Sequence, residues 1–186
     1  MELKLSSQGL SIVVSNHSPF EPTESDVRNA VTYKLDPARD RRPTSRHSIE
    51  VVDPSGASHA CMLTAGGGAS AVHEHSALVH DDSVIVAVGP HLCALRLPKL
   101  DLDWSVVVDE ATCFGVYYSA KHDCYVSHGE IEVARVALDG RVVWSASGKD
   151  IFSEGFALHD DYAEVVDFNH ETYRIDLATG RSFIVK

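Results

Sequence analysis

Trp104 and Trp144 stand 40 residues apart, and Ile184 falls 40 further on. The segments leading into them share one plan. Leu95 to Asp103 precedes the first, Val136 to Val143 the second, and Ile175 to Phe183 the third. Each reads as an apolar strand, a tight turn and a second short strand ending in a large apolar residue. Gly140 and Gly180 hold the same turn position, also 40 apart, and Arg follows each. A fixed period of this length means that one supersecondary unit is copied along the chain and must bury its faces against its own copies.

The first half of each unit repeats as well. Leu78-Val79-His80-Asp81-Asp82 precedes the apolar run Val84 to Val88. Ser119-Ala120-Lys121-His122-Asp123 precedes Cys124 to Ser127, and Ala157-Leu158-His159-Asp160-Asp161 precedes Ala163 to Phe168. Apolar spacing of two makes these segments strands rather than helices. The unit is therefore an antiparallel meander of four short strands, and the boundaries fall at 75–114, 115–153 and 154–186. The predicted fold class is all-β and propeller-like, as a small closed ring or an open curved stack.

Ala-Leu-Asp-Gly-Arg-Val-Val-Trp at 137–144 and Tyr-Arg-Ile-Asp-Leu-Ala-Thr-Gly-Arg at 173–181 resemble the outer hairpin of quinoprotein-type (PQQ-like) β-propeller repeats. The resemblance covers about 110 residues and implies the blade. It implies no quinone-binding residue, because such blades serve quinone dehydrogenases, assembly scaffolds and uncharacterised proteins alike.

Residues 1–74 read as an N-terminal β segment. Ser48 to Val52 and Ala60 to Leu63 flank Asp53-Pro54-Ser55-Gly56, where Pro presets φ and Gly accepts a positive one. Glu2 to Leu5 and Leu10 to Val14 flank Gly9 as a second hairpin. Thr23 to Tyr33 reads as a short helical turn capped by Thr23. Ala65-Gly66-Gly67-Gly68-Ala69-Ser70 reads as a boundary or mobile loop, since three successive glycines make regular structure costly there. A closed ring of four blades takes roughly 160–180 residues, so closure of this 186-residue chain would need one blade or more from the N-terminal part.

Charge excludes some partners. The net charge is −11: residues 1–74 hold 9 acidic and 7 basic side chains, and residues 75–186 hold 18 and 9. Such a surface repels phosphate backbones, so no nucleic-acid partner is expected. The one basic cluster, Arg39, Arg41, Arg42 and Arg46, reads as a solvated loop. No apolar run reaches the roughly 18–20 residues of a membrane span, and the opening residues lack the pattern of a secretory signal. The four cysteines include no Cys-x-x-Cys pair and read as small buried hydrophobes in a reducing compartment. A cytoplasmic location is expected.

The candidate chemistry rests on eleven histidines. His73 and His75 share one face of an extended strand and could reach one metal, with His80 or a neighbouring Asp81 or Asp82 completing the set. Zinc or another transition metal is the group such a site would hold; otherwise no cofactor is expected. His122 and Cys124 could form a base and nucleophile, although no orienting group or oxyanion donor is visible for them. The recurring pairs His80-Asp81, His122-Asp123 and His159-Asp160 keep the blade's period, which points to scaffold: Asp closes the turn on its own backbone and His reaches the next blade.

The leading functional expectation is a non-enzymatic binding module with a protein or peptide partner. The alternatives are a metal-binding protein or metal-dependent enzyme using His73 and His75, and an acidic bacterial partner protein that neutralises a basic target. An open stack would expose blade edges and favour a homodimer.

Overall fold

The period-two segments form strands, and the strands sort into four sheets. These are seen in a computed structural model that describes residues 1–18, 31–36 and 42–185. The first sheet holds β1 (Glu2–Ser7), β2 (Leu10–Asn16), β3 (Val31–Lys34), β4 (Ser45–Val52) and β5 (Ser58–Ala65). Its order is β1-β2-β4-β5-β3, and β3 runs parallel to β5. The second sheet is a meander of β6 (Ala77–His80), β7 (Ser83–Val88), β8 (His91–Arg96) and β9 (Asp101–Val107). The third comprises β10 (Cys113–Ser119), β11 (Cys124–Gly129), β12 (Glu132–Ala137) and β13 (Val142–Ser147). The fourth comprises β14 (Gly155–Leu158), β15 (Tyr162–Val166), β16 (Thr172–Asp176) and β17 (Ser182–Val185). Among the described residues there is no helix. Of the helical turn expected over Thr23 to Tyr33, residues 23–30 lie outside the described ones, and Val31 to Tyr33 lie in β3. Arg39 and Arg41 of the basic cluster also lie outside them.

Alternation explains how the sheets stack. In β7, Val84, Val86 and Val88 enter a core shared with the first sheet, while Ile85 and Ala87 enter a core shared with the third. In β8, Cys93 and Leu95 face one way and Leu92 and Ala94 the other. Successive side chains point to opposite faces, so a sheet covered on both sides needs near-continuous apolar strands. The third sheet turns Cys124, Val126 and Val133 toward the fourth, where Ala163, Val165, Tyr173 and Ile175 meet them around Phe152.

The row stops at the fourth sheet. Its far face mixes Tyr162, Glu164 and Arg174 with Phe183 and Val185, which stay exposed. Arg174 donates to Glu164 at 2.9 Å and lies 4.7 Å over the Tyr162 ring. Four sheets share three cores, and no core joins the first sheet to the last among the described residues. The stack is open, and the ring does not close.

The 40-residue period is a latch between neighbouring sheets. The Trp104 indole N–H donates to the carbonyl of Leu138 at 3.2 Å, and Trp144 does the same to Leu177 at 3.1 Å. Each ring lies flat against the next sheet's turn glycine. A Cβ on Gly140 would stand 2.6 Å from Trp104, and one on Gly180 would stand 2.8 Å from Trp144. Both glycines have positive φ, +85° and +73°. Leu100, 40 residues before Gly140, has φ 63°; no tryptophan approaches it, and its own side chain is buried in the first core. Ile184, at the corresponding position of the fourth sheet, is 43% exposed.

The glycine loop is tied down rather than loose. The carbonyls of Gly67 and Gly68 accept from the Thr44 hydroxyl, Gly68 N–H donates to Ala111 at 2.9 Å, and Ser70 Oγ accepts from Gly89 N–H at 2.8 Å. Gly68 sits so close to Thr112 that no Cβ fits. The glycines here serve close approach between the first sheet and the segment joining the second to the third.

Candidate functional site

Strand direction puts the connections of the three meanders at two ends. One end collects the glycine loop and residues 71–76, the inter-sheet segments 108–112 and 148–154, and the turns before β8, β12 and β16. The other collects the turns that receive the tryptophans. They are called here the glycine-loop end and the latch end.

His73 and His75 lie at the glycine-loop end, just before β6. His73 Nε2–H donates to the Phe114 carbonyl at 2.6 Å, and its Nδ1 accepts the His75 amide at 3.2 Å. Both ring nitrogens are thus committed to main chain, which fixes one neutral tautomer. The His75 ring is 6.2 Å from His73, and its side chain is 46% exposed beside Glu74. His80 is at the opposite end of β6. Its ring stacks 4.2 Å from Tyr118, and Nδ1 is 3.0 Å from the Tyr125 hydroxyl, both in the next sheet. The structure therefore brings His73 and His75 together and leaves His80 at the latch end. Among the described residues, no three His, Cys, Asp or Glu side chains are grouped to hold a metal ion.

The histidine-aspartate turns differ from one another. His80 bridges to Tyr125 as the scaffold role requires. His122 Nε2 is 3.9 Å from Asp161 of the fourth sheet, where Lys121 Nζ also binds at 2.6 Å. His159 is exposed and stacks only on Tyr162 of its own sheet. Cys124 is buried beside Arg135, and burial raises its thiol despite that cation. Burial also pushes Cys61 up to about 12 and Cys113 higher. These thiols keep their protons at neutral pH, so the His122–Cys124 pair presents no thiolate.

Sequence reasoning missed a run of rings across three sheets at the glycine-loop end. His75 lies 4.7 Å from Tyr117 of β10, and Tyr117 lies 4.5 Å from Phe156 of β14. Phe156 stacks on His128 of β11 at 4.7 Å, and His128 meets Phe114 at 5.4 Å. The one sequence signal was that Tyr117 and Phe156 are 39 residues apart, in step with the repeat. The run has a dry side and a wet side. Burial takes His128 down to about 4, and its Nε2 has no hydrogen-bond partner. Tyr117 and Phe156 are partly exposed and His75 is exposed. Burial first, then the Glu74 carboxylate, pushes the Tyr117 phenol up to about 12.

Charge is uneven between the two ends. In the second to fourth sheets and their connections, the glycine-loop end carries Glu74, Asp109, Glu110 and Glu130 around the inner turns. Asp150, Glu154, Asp167 and Glu171 follow on the fourth-sheet side, against one cation, Lys149. The latch end carries Asp81, Asp82, Asp123, Asp139, Asp160 and Asp161, offset by Lys99, Lys121, Arg141 and Arg181.

Two of these acids build the end itself. Asp109 is buried, and its carboxylate accepts four main-chain N–H groups: Ala111 and Thr112 on one oxygen, Ile131 and Glu132 on the other, at 2.6–2.9 Å. Asp167 accepts Asn169 and Glu171 amides at 2.9 Å and the Tyr173 hydroxyl at 2.9 Å. Those bonds lower its pKa against the opposing pull of desolvation. The other carboxylates are at least partly solvated.

No protein-family model matches the chain, and no curated protein matches it. Solved structures do. The crystal structure of BamB from Moraxella catarrhalis superposes with a TM-score of 0.54 at 15% identity, over 98% of this chain and 60% of that one. The AfRom2 CNH domain superposes with a TM-score of 0.56 at 11% identity, over 100% of this chain and 54% of that one. Identities this low speak for fold alone. The chain spans little more than half the length of either structure, and it is propeller-like in the arrangement of its four sheets.

Proposed function

We propose that this chain is a non-enzymatic interaction module that binds a protein or peptide segment at its glycine-loop end. The observation that carries the reading is the run His75, Tyr117 and Phe156: three neighbouring rings, one from each repeat unit, left partly open at one end of a rigid stack. Aromatic side chains supply large contact area at small entropic cost and are the residues interfaces are built from. The loops around them are held by Asp109 and Asp167, so the surface is preorganised. The buried, protonated thiols suit a reducing compartment such as the cytoplasm.

A peptide-display library panned over the immobilised chain tests this. Enriched peptides should compete with one another and lose binding to a His75→Ser, Tyr117→Ser variant that keeps its thermal transition. No enrichment, or enriched peptides indifferent to that variant, would overturn the proposal.

A further inference from the structure

The identity of the partner follows from what surrounds the rings. A π face attracts a cation through its quadrupole, and here the partly exposed rings of Tyr117 and Phe156 share one end of the stack with a group of carboxylates. Glu74 is close enough to act on the Tyr117 phenol and is 83% exposed. Glu154, two residues before Phe156, is exposed, as is Glu110 in the segment entering β10. Lys149, the one cation in these connections, is already paired with Glu171 at 2.9 Å. Asp81, Asp82 and Asp103 at the latch end are acidic too, but Arg96 pairs with Asp82 and Asp103 at 3.3 and 3.0 Å. The latch end has partly exposed rings of its own, Tyr118 and Tyr162 among them, but its acids are far more nearly balanced by cations. A second copy of this chain would bring the same acidic end and be repelled.

We infer that the glycine-loop end docks a basic peptide segment, one Arg or Lys lying over Tyr117 and Phe156 with its charge met by Glu74 and Glu154. The inference rests on the interaction reading above and narrows it to one partner chemistry and one face. Arg fits best, because its planar guanidinium stacks on a ring while its edge donates to a carboxylate.

The test uses the whole chain and a fluorescein-labelled short peptide of alternating Arg and Ser, with a Glu and Ser twin as control, followed by anisotropy. The basic peptide should bind and its twin should not. Tyr117→Leu should weaken binding about fivefold. Glu74→Gln with Glu154→Gln should weaken it about threefold and flatten its salt dependence. Asp160→Asn with Asp161→Asn, at the latch end, should change it less than about twofold. The two glutamates are on the surface, so their variant keeps the test decisive even where Tyr117→Leu unfolds the chain. Loss of affinity in the latch-end variant equal to that in the glutamate variant would overturn the inference, as would no binding of the basic peptide. Enrichment of neutral or acidic peptides in the display experiment would also overturn it while leaving the interaction reading in place; no enrichment there sinks both.

Discussion

Trp144 of the third sheet donates its indole N–H to the carbonyl of Leu177 in the fourth, 3.1 Å away, and lies against Gly180 so closely that any side chain there would strike the ring. The sequence period and the inter-sheet contact are one object. A tryptophan in one unit requires a bare, left-handed turn in the next.

Gly180→Ala should therefore be costly. It imposes a left-handed φ on a side chain, about 1–2 kcal/mol, and forces Trp144 aside, about 1–3 kcal/mol more. Gly56 has a similar φ of +84° with nothing within 4 Å, so Gly56→Ala should cost only the first part. Urea unfolding of the two variants measures the difference; equal losses would contradict the latch.

Stability should fall with acid. Burial takes His47 and His128 down to about 4 from an ordinary 6.5. As pH drops through about 6.5 the unfolded chain takes up these protons while the folded chain refuses them until about 4. Folding is thus fully favoured above this window and loses up to about 3 kcal/mol per ring across it. Melts between pH 7.5 and pH 4.5 should show Tm falling, and His128→Phe should make that fall shallower.

The histidine-aspartate turns should separate by exposure. His80→Ala removes the partner of the Tyr125 hydroxyl and should cost about 1–2 kcal/mol. His159 is exposed and bonded to no other sheet, so His159→Ala should cost less than about 0.5 kcal/mol. Chemical denaturation of both variants checks the order.

Asp109→Ala leaves four main-chain donors without an acceptor and should cost at least about 3 kcal/mol. Its mark is local: the amides of Ala111, Thr112, Ile131 and Glu132 should exchange with solvent faster than those of β7 and β8, measured by hydrogen exchange. Uniform acceleration would mean global loosening instead.

The four-stranded meanders were legible because turn chemistry and period-two alternation act locally, and the register of Trp104 and Trp144 already contained the latch; β3 was not, since Val31 to Tyr33 read as the end of a helical turn. The openness of the stack was not legible. The far face of the fourth sheet mixes Glu164 and Arg174 with the exposed Phe183, and only the folded sheet defines which residues share that face. The bonds that tie down the glycine loop were not legible, because Thr44, Gly89 and Thr112 reach it from outside the loop. At the candidate site, His73 and His75 do not share a strand face as expected; they lie in the turn before β6, with rings 6.2 Å apart. Their separation from His80 was not legible, because the strand between them carries the two groups to opposite ends of the sheet. Nothing in their strand patterns showed that the rings of Tyr117, Phe156 and His128 would meet.

The uncovered far face of the fourth sheet has a kinetic side. A closed ring gives every sheet two neighbours and melts as a whole, whereas a row gives its end members only one. With nearest-neighbour coupling alone, the segment Gly155–Val185 can peel away while the cores around β7 and β8 stay intact. The proposed docking end would then lose Phe156 first, and a peptide bound there would make the last sheet let go less often.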